Sequence, residues 1–283
     1  MVATTDFPIG WAIQQEKNDS KFRRVLIAPP GYDMLEFDAA GQEFRWMAIQ
    51  SGDATMLKLC LPGEDPHSYM GSSIYSCDYR ELIQLNKAGD KDAKHKRKLG
   101  KLANLSLQYR TSAPRLLVKA RVDYDLDMKL QEAQFIHGTY PQVYRGVPKY
   151  WQRQPEKCRR LGYAETLGGS RVQLNGDWQG SLKWALESTS INYPVQGTGG
   201  DQKYLAISVL KDYMVGVGGR MVLDLHDGLY WFVPKDKSMK ALHDCKWLLD
   251  NLPYKKAWNF DPPIPLPWDA KIGPSWGLLE EVK

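Results

Sequence analysis

Two apolar runs separated by His226-Asp227-Gly228 constrain the fold more than any other part of the sequence. An Asp-Gly pair between apolar runs is a strong hairpin signal, because a tight turn needs positive φ and glycine adopts it at little cost. We therefore predict two antiparallel strands at residues 221–225 and 229–233. The Asp227 carboxylate and the His226 imidazole would lie at the tip, and a carboxylate held on a rigid turn suits a metal ion. An ordinary surface turn is the alternative.

Composition limits the protein to an ordinary globular class. The chain has 283 residues, 43% hydrophobic and 25% charged, enough for one large domain or two modest ones. No apolar run approaches ~20 residues, and the N-terminus lacks a basic segment followed by an apolar one. We therefore predict neither a membrane span nor a secretion signal. The four cysteines form no Cys-x-x-Cys pair, which fits a reducing cytoplasm. A net charge of +5 permits a polyanionic partner.

Strand patterns occupy both ends of the sequence, and helical patterns occupy its middle. Residues 21–28 and 32–38 are strand candidates, and a last short strand follows the proline-rich segment that begins at Asp261. The other predictions are helices at 42–61 (broken at 51–53), 67–79, 94–109, 125–147, 150–159, 182–192, 197–215 and 238–252, and a hairpin at 162–174. This order favours an α+β fold, one sheet with a helical insertion.

Asp38 is the first candidate partner for Asp227. It ends an apolar strand, and the small residues Ala39-Ala40-Gly41 keep the neighbouring backbone uncrowded. Two carboxylates from different strands can hold two hard cations ~3.5–4 Å apart, an arrangement that serves phosphoryl transfer. A lone aspartate at a strand end is also common as a cap or a surface residue.

Two further segments carry groups that suit a nucleotide or nucleic acid. On the predicted helix at 94–109, Arg97, Lys101, Leu105 and Tyr109 recur every four residues. Twelve residues at ~1.5 Å each span ~18 Å, so cations at one end can hold a triphosphate while Tyr109 meets a sugar or base. A solvated basic face is the alternative.

The segment 191–201 carries the amides Asn192 and Gln196 beside three glycines. Amides donate to and accept from base or sugar edges, and glycines permit close backbone approach. An ordinary helix–loop–helix is the alternative here.

The order of these segments resembles the motifs of the DNA polymerase I family, family A. Phe37-Asp38-Ala39-Ala40-Gly41-Gln42-Glu43-Phe44-Arg45 resembles motif A, where the family pattern is Asp-Tyr-Ser-Gln-Ile-Glu-Leu-Arg. Arg97-x3-Lys101-x3-Leu105-x3-Tyr109 resembles motif B, the fingers helix. Asn192-Tyr-Pro-Val-Gln196-Gly-Thr-Gly-Gly-Asp201 is similar to Asn-x-Pro-x-Gln-Gly-Thr-Ala-Ala-Asp, and His226-Asp227-Gly228 to the His-Asp-Glu of motif C. Weaker similarities lie at Asp65-Pro66-His67 and Gly162-Tyr-Ala-Glu-Thr-Leu167, and the resemblance covers the chain from about Phe22 onward.

This resemblance implies an α+β fold, a right-hand polymerase palm with an antiparallel sheet and an inserted helical fingers subdomain. We expect the first part of the palm at residues 1–75, the fingers at 76–160 and the second part of the palm at 161–283. The implied activity is DNA-templated DNA synthesis, in which dNTPs are transferred to a primer 3′ end by two-metal catalysis. Asp38 and Asp227, assisted by the Ala39 carbonyl, would bind two Mg²⁺ ions, for which Mn²⁺ can substitute.

The resemblance also implies roles for residues outside the metal site. The residues implied to bind the nucleotide are Arg97 and Lys101 at the triphosphate, His67 nearby, Tyr109 beside the nascent base pair, Glu43 against the sugar 2′ position, and Leu105 where the sugar packs. Lys101 would also be catalytic, as the proton donor to pyrophosphate. Asn192, Gln196 and His226 would contact primer–template DNA.

Several departures from the family pattern accompany the resemblance. Gly228 replaces the usual glutamate of motif C, Leu105 replaces an aromatic residue, Arg110 replaces a glycine, and Ser188 replaces an arginine. Only about twenty residues precede the recognisable region, where the family usually has a thumb and often an exonuclease. We therefore expect a split, phage-like polymerase in which a second chain supplies the thumb, with or without an exonuclease, acting in the cytoplasm of a bacterial host. A truncated chain is the alternative.

Two other functions fit parts of the pattern. A related single-subunit RNA polymerase would share both aspartates, although Glu43 and the Gln-Gly-Thr segment favour DNA synthesis. A non-catalytic nucleic-acid-binding or assembly subunit would fit Gly228, Ser188 and the missing thumb.

Overall fold

Helices dominate the residues that the structure describes, 23–282 of a computed structural model, and two antiparallel sheets accompany them. The helices are α1 (Gln42–Ser51), α2 (Ala54–Leu59), α3 (Pro66–Tyr75), α4 (Tyr79–Lys87), α5 (Lys91–Leu107), α6 (Ala113–Tyr124), α7 (Leu130–Val143), α8 (Gly146–Leu161), α9 (Lys183–Val217), α10 (Lys235–Asp250) and α11 (Tyr254–Trp258). The strands are β1 (Tyr32–Ala39), β2 (Tyr163–Glu165), β3 (Arg171–Gln173), β4 (Arg220–Leu225), β5 (Gly228–Pro234), β6 (Trp268–Gly273) and β7 (Glu280–Glu281). The predicted α+β class is confirmed.

The larger sheet has the order β4-β5-β1-β6-β7, and every neighbouring pair in it is antiparallel. The central strand β1 buries Met34, Leu35 and Phe37, and this apolar pattern explains why it occupies the middle of the sheet. Asp38 in β1 is opposite Gly228 in β5 and Asp269 in β6. The predicted strand at 32–38 and the predicted hairpin are both confirmed.

The hairpin turn differs from its prediction in one respect. Leu225 pairs with Gly228, so His226 and Asp227 are the two central residues of the turn. The positive φ, +52°, belongs to His226, and Gly228 lies inside β5. Our assignment of the positive φ to glycine was wrong, because the loop is one residue earlier than the Asp-Gly pair suggested.

The N-terminal strand predicted at residues 21–28 is not formed in its described part. Residues 21 and 22 lie outside the described residues, Arg23–Val25 form a 3-10 turn, and Ile27 makes a single bridge with Ser275. Leu26 accepts a hydrogen bond from the Trp276 N–H at 3.0 Å. Partners in a short loop therefore satisfy this backbone without a strand ladder.

Several helix predictions need correction. Helices α4, α6 and α11 were not predicted. The helix predicted at 125–147 extends only from Leu130 to Val143, because Asp125, just after α6, has φ of +48° and interrupts the helical path. Helix α5 ends at Leu107, so Tyr109 lies in the turn beyond it. The two helices predicted around Pro194 are one helix, α9. A proline removes a single helical donor, and the buried neighbours Ile191 and Val195 keep the helix continuous.

The chain divides into two compact units. Among the described residues, the first comprises 23–40, 203–252 and 266–282, and it contains the five-stranded sheet and α10. The second comprises residues 41–202 and 253–265, and it contains α1 to α8 and the β2–β3 hairpin. These boundaries differ from the predicted palm and fingers divisions at 75 and 160, and the palm–fingers division stays a prediction.

Two glycines set the crossing of α3 and α5 in the second unit. A Cβ on Gly100 would lie 2.0 Å from the carbonyl oxygen of His67, and one on Gly71 would lie 2.5 Å from that of Lys96. Only glycine allows two helix backbones to approach so closely. The crossing brings His67 of α3 beside Arg97 of α5. No helix among residues 23–282 is long and apolar enough to cross a membrane.

Candidate active site

Two aspartates lie close together, one near the end of β1 and the other in the β4–β5 turn. Asp38 is the penultimate residue of β1, and Asp227 is the second residue of the turn. The Ala39 N–H donates to the Asp227 carbonyl oxygen at 3.4 Å. The two carboxyl groups are within hydrogen-bonding reach of each other. The structure thus brings Asp38 and Asp227 together, and their role as metal ligands stays a prediction.

The aspartate pair lines a depression of about 370 Å³ together with a third carboxylate, Glu36. Glu36 precedes Asp38 by two residues, so both side chains project from the same face of β1. Lys271 Nζ lies 3.2 Å from Glu36 Oε2, and the Tyr230 hydroxyl donates to Glu36 Oε1 at 3.2 Å. The third carboxylate is therefore held in place and partly neutralised.

Burial, followed by the Asp227 carboxylate, raises the pKa of Asp38 to about 8. The charge of Glu36 raises this pKa further, whereas Lys271 lowers it. Two carboxylates this close repel each other when both are ionised. The site therefore favours a bound cation or a shared proton.

The donor atoms at this depression suit a hard divalent cation. Mg²⁺ is usually held by one or two carboxylates, with water and substrate phosphates completing its coordination. Asp38, Asp227 and the Ala39 carbonyl offer such oxygens. Within residues 23–282, no group of three acidic, histidine or cysteine side chains is placed to hold a metal ion by itself. The residues fit a metal whose other ligands come from phosphate and water.

A lysine of α9 stabilises the turn that carries Asp227. Lys203 Nζ lies 2.5 Å from Asp224 Oδ1 and 2.9 Å from the carbonyl oxygen of His226. A non-glycine residue at positive φ, such as His226, is strained, and these contacts offset that strain.

In the second unit, Arg97 forms an ion pair with Asp65. Arg97 Nε lies 2.7 Å from Asp65 Oδ2, and Nη2 lies 3.3 Å from Oδ1, a two-point contact. Asp65 also caps α3 by accepting from the His67 N–H at 3.1 Å, and it accepts from the Ser68 hydroxyl at 2.7 Å. Burial works to raise the pKa of Asp65, but the hydrogen bonds from Arg97 and Ser68 outweigh it and lower this pKa.

His67 lies in the same cluster, and its imidazole is neutral. Asn104 Nδ2 donates to the Pro66 carbonyl at 2.9 Å and lies 3.2 Å from His67 Nδ1. An amide nitrogen only donates, so this contact requires an unprotonated Nδ1. Burial, then the charge of Arg97, lowers the pKa of His67 to about 4; Lys101 lowers it further and Asp65 opposes the shift.

Lys101 and Leu105 follow Arg97 at one-turn intervals along α5. Lys101 is exposed and Leu105 is half-buried. Tyr109 is not the fourth member of this helical stripe, since the helix has already ended at Leu107. Arg97 and Lys101, the two cations predicted to bind the triphosphate, therefore lie on the same helix. Tyr109 belongs to a different cluster.

That second cluster is centred on Glu43, the residue predicted to face the sugar. Gln108 Nε2 donates to Glu43 Oε2 at 3.0 Å, and Gln196 Nε2 donates to Oε1 at 3.1 Å. Burial, then the charge of Glu43, raises the pKa of Tyr109 well above its ordinary value. Glu43, Tyr109 and Gln196, predicted from separate motifs, therefore lie together in this unit.

Asn192 lies one turn before Gln196 on α9 and lines a depression of about 450 Å³ with Tyr109, Arg110 and Ser188. Within residues 23–282, the Oδ1 of Asn192 is buried without a hydrogen-bond partner.

Arg110 has φ of +59°, a conformation that favours glycine, and its Nη1 lies 3.0 Å from Glu187 Oε2. The ion pair holds the Arg110 side chain beside α9 and offsets part of the cost of its backbone conformation.

The weaker motif at 162–167 has a structural explanation. Its Thr166 donates to Asp201 Oδ2, and Ser170 donates to Asp201 Oδ1 at 2.7 Å. A Cβ on Gly168 would lie 2.5 Å from Asp201 Oδ2. These contacts fasten the β2–β3 hairpin to α9.

Three residues beside these clusters were missed by sequence reasoning. Glu36 was detectable, because the alternation of β1 places it on the same face as Asp38. Gln108 and Lys203 had no local signal, since their importance comes from partners distant in the sequence.

The sequence matches the family model of DNA polymerase family A over residues 8–278. The chain is 28% identical to the thermostable DNA polymerase I of Thermus aquaticus over 264 residues, 92% of this chain and 29% of that protein. It is 27% identical to DNA polymerase I of Deinococcus radiodurans over 258 residues, 90% of this chain and 25% of that protein. The chain thus spans less than a third of the length of these relatives.

Among solved structures, the POL domain of Pol1 from M. smegmatis in complex with DNA primer-template and dNTP matches with a TM-score of 0.75. The identity is 22%, and the match covers 94% of this chain and 44% of that chain. This likeness defines the fold as that of a polymerase domain. The family model extends over nearly the whole sequence, so the chain belongs to DNA polymerase family A, as the motif resemblance predicted.

Proposed function

We propose that this chain is the catalytic palm-and-fingers part of a DNA-directed DNA polymerase, which transfers dNTPs to a primer 3′ end. The observation that carries this proposal is the pair Asp38 and Asp227, which lie together at the end of the central strand β1 in a chain of family A. Such a pair is the protein's share of a two-metal phosphoryl-transfer site.

Asp38, Asp227 and the Ala39 carbonyl would hold two Mg²⁺ ions, with Mn²⁺ as a substitute. When bound, the metal ions neutralise phosphate charge and favour both the attacking and the leaving oxygen. Glu36 stays beside the pair through its contacts with Lys271 and Tyr230. In this proposal it adjusts the charge of the site without ligating a metal.

The residues of α5 would receive the triphosphate. Arg97 exchanges the Asp65 carboxylate for phosphate oxygens, a substitution that its two-point geometry suits. Lys101 is exposed and supplies a second cation, and we propose it as the proton donor to pyrophosphate. The neutral His67 adds a hydrogen-bonding group without adding charge.

Glu43 would select the sugar and Tyr109 would face the nascent base pair. Gln108 and Gln196 fix both oxygens of Glu43, which makes its carboxylate a rigid wall against a 2′ hydroxyl. This rigidity supports deoxynucleotides as substrates over the ribonucleotides of a related RNA polymerase. Leu105, half-buried on α5, would pack near the sugar.

Asn192, Gln196 and His226 would contact primer–template DNA. A second polymerase chain carrying a thumb, with or without an exonuclease, stays a prediction, as does a phage origin. We place the reaction in the cytoplasm of a bacterial cell, because the relatives are bacterial DNA polymerases. A non-catalytic nucleic-acid-binding or assembly subunit is the second candidate, since Gly228 leaves only two carboxylates at the turn and strand end.

Primer extension with each nucleotide type tests this proposal. We expect Mg²⁺-dependent extension with dNTPs, and at least about a hundredfold less with ribonucleotides. Equal use of both would favour the RNA polymerase. No extension, even when a thumb-bearing polymerase fragment is added, together with no Mn²⁺-dependent nucleotide binding, would favour the assembly subunit.

A further inference from the structure

Gln202 joins α1 and α11 to α9 through a buried amide in the second unit. Its side chain is 2% exposed. Its Oε1 accepts from Gln42 Nε2 at 3.1 Å and from the Trp46 indole N–H at 2.9 Å. Its Nε2 donates to the Tyr254 hydroxyl at 2.8 Å. Both ends of the amide are therefore satisfied, and these contacts offset the cost of burying it.

The partners of Gln202 fix the direction in which its amide points. An indole N–H only donates, so Trp46 must face the amide oxygen. The amide nitrogen then faces Tyr254, whose hydroxyl oxygen accepts. A buried polar group with one permitted orientation holds its neighbours in one arrangement, which an apolar side chain of similar size does not do. Gln202 therefore fixes α1 against α9 more narrowly than packing alone would.

The first turn of α1 depends on these contacts because it has no side-chain cap of its own. Gly41 occupies the N-cap position with φ of +60° and carries no side chain to accept from the first amides. Gln42 instead donates to α9, where its Nε2 lies 3.2 Å from the Gly199 carbonyl oxygen as well as beside Gln202. A Cβ on Gly199 would lie 2.8 Å from Gln42 Cδ, so glycine leaves the room that this contact needs.

Glu43 follows Gln42 in the same turn, and α9 contacts it as well. Gln196 Nε2 donates to Glu43 Oε1 at 3.1 Å. Gln196, Gly199 and Gln202 follow one another at three-residue intervals, which are neighbouring positions on a helix surface. We call these three residues the α9 clamp. The clamp holds both the turn that carries Glu43 and one oxygen of its carboxylate.

We propose that Gln202 is a positioning residue for sugar selection. It acts through Gln42 and Trp46, which hold the first turn of α1, and so keeps the Glu43 carboxylate where a 2′ hydroxyl would meet it. Gln202 is buried and contacts the nucleotide only through these neighbours. This inference rests on the proposed function, in which Glu43 faces the sugar.

A positioning role and a purely structural role have different kinetic consequences. Loss of stability alone lowers the use of dNTPs and of ribonucleotides together, because both need a folded α1. Loss of positioning changes the ratio between them, because only the ribonucleotide carries the 2′ hydroxyl that Glu43 excludes. The ratio therefore separates the two roles.

The test measures kcat and KM for a templated dNTP and for the matching ribonucleotide in primer extension by Gln202→Met. Methionine keeps the length of glutamine, but its thioether is only a weak acceptor. We expect kcat/KM for the ribonucleotide, relative to that for the dNTP, to rise about fivefold, the factor that corresponds to one hydrogen bond. Gln202→Glu keeps an acceptor for Gln42 and Trp46 and accepts from the Tyr254 hydroxyl, so it should restore most of the discrimination.

A double-mutant cycle shows whether Gln202 acts through Glu43. In the Glu43→Ala background, Gln202→Met should leave the ratio unchanged, since the carboxylate is absent. The matched control is Gln154→Met, at another buried glutamine, whose Nε2 lies 3.5 Å from Cys158 Sγ. This control should lower the stability of the protein and keep the parent's ratio.

The proposal is overturned if Gln202→Met keeps the parent's ratio, or if its effect on the ratio persists in the Glu43→Ala background. An equal change in Gln154→Met would also overturn it, in favour of a general loss of rigidity. Gln42→Met breaks the contact from its half-buried side, should raise the ratio in the same direction, and replaces Gln202→Met if that variant does not fold. The proposed polymerase function fails in a different way. The parent would then extend no primer with either nucleotide, and the sugar-selecting role of Gln202 would be lost with that function.

Discussion

Acidification should destabilise this protein through His67. Burial and the charge of Arg97 lower the pKa of His67 to about 4, against 6.5 for an unperturbed histidine. Between these two values the unfolded chain binds a proton that the folded chain does not. The free energy of unfolding therefore falls as the pH decreases from about 6.5 to about 4, and this contribution stops changing below 4.

The size of the effect follows from the same two values. A pKa moved from 6.5 to about 4 corresponds to about 3 kcal/mol. This is an upper value, because His67 is only partly buried and water screens its charge. Asp65 loses its stabilising ion pair only as the pH falls through its own lowered pKa, and this loss occurs in parent and variant alike.

The assay is urea unfolding of the parent and of His67→Gln between pH 7 and pH 4.5. Glutamine stays neutral, so the stability of the variant should decline less, and the difference between the two proteins should change by about 2 to 3 kcal/mol in favour of the variant. His95→Gln, an exposed substitution on α5, should follow the parent. Parallel pH curves for the parent and His67→Gln would refute the reasoning.

Five other substitutions test the packing of the turn and the residues of the site. Gly228→Ala should destabilise the protein by about 1–3 kcal/mol in urea unfolding, because its Cβ would lie 3.1 Å from Tyr230 Cε2 and 3.3 Å from the Leu225 carbonyl. Gly138→Ala, whose Cβ would meet nothing within 4 Å in helix α7, should instead stabilise it by about 0.5–1 kcal/mol; equal effects of the two would contradict the packing argument. Glu43→Ala should raise ribonucleotide use relative to dNTP use by tenfold or more in single-nucleotide incorporation, and Gln108→Ala should give a smaller change in the same direction; unchanged ratios would remove Glu43 from the sugar site. Leu105→Phe should change the incorporation of dideoxynucleotides relative to dNTPs, and identical ratios would show that this side chain does not contact the sugar.

Strand periodicity and turn chemistry located the parts of the fold that carry the acidic pair. The apolar pattern of β1 and the two apolar runs beside the turn were sufficient to predict these strands, because the burial of a strand is visible in its own sequence. The positive φ was assigned to Gly228 when it belongs to His226. The residues at the centre of a turn depend on where the strand pairing ends, and the sequence predicts that point only to within a residue.

Helix α6 and the continuity of α9 were not predictable in the same way. Helix α6 buries only Ala113, Leu116 and Ala120, and it exposes Val118 and Val122, so its apolar face is weak. Pro194 is a breaking signal that the buried surroundings of α9 override.

The clusters of the candidate site depend on contacts between distant residues. Arg97 meets Asp65 because Gly71 and Gly100 let α3 and α5 approach closely. Glu43 meets Gln108, just after the end of α5, and Gln196 of α9. The motifs indicated which residues matter. They did not indicate that Arg97 already has a carboxylate partner, because such pairing is a property of helix packing.

Single-turnover incorporation of a templated dNTP tests the central claim most directly. Asp38→Asn and Asp227→Asn should each slow incorporation at least about a hundredfold and weaken Mn²⁺-dependent nucleotide binding, whereas Asp236→Asn, an exposed aspartate on α10, should match the parent. Incorporation by either site variant at the rate of the parent would contradict the claim that Asp38 and Asp227 carry the reaction.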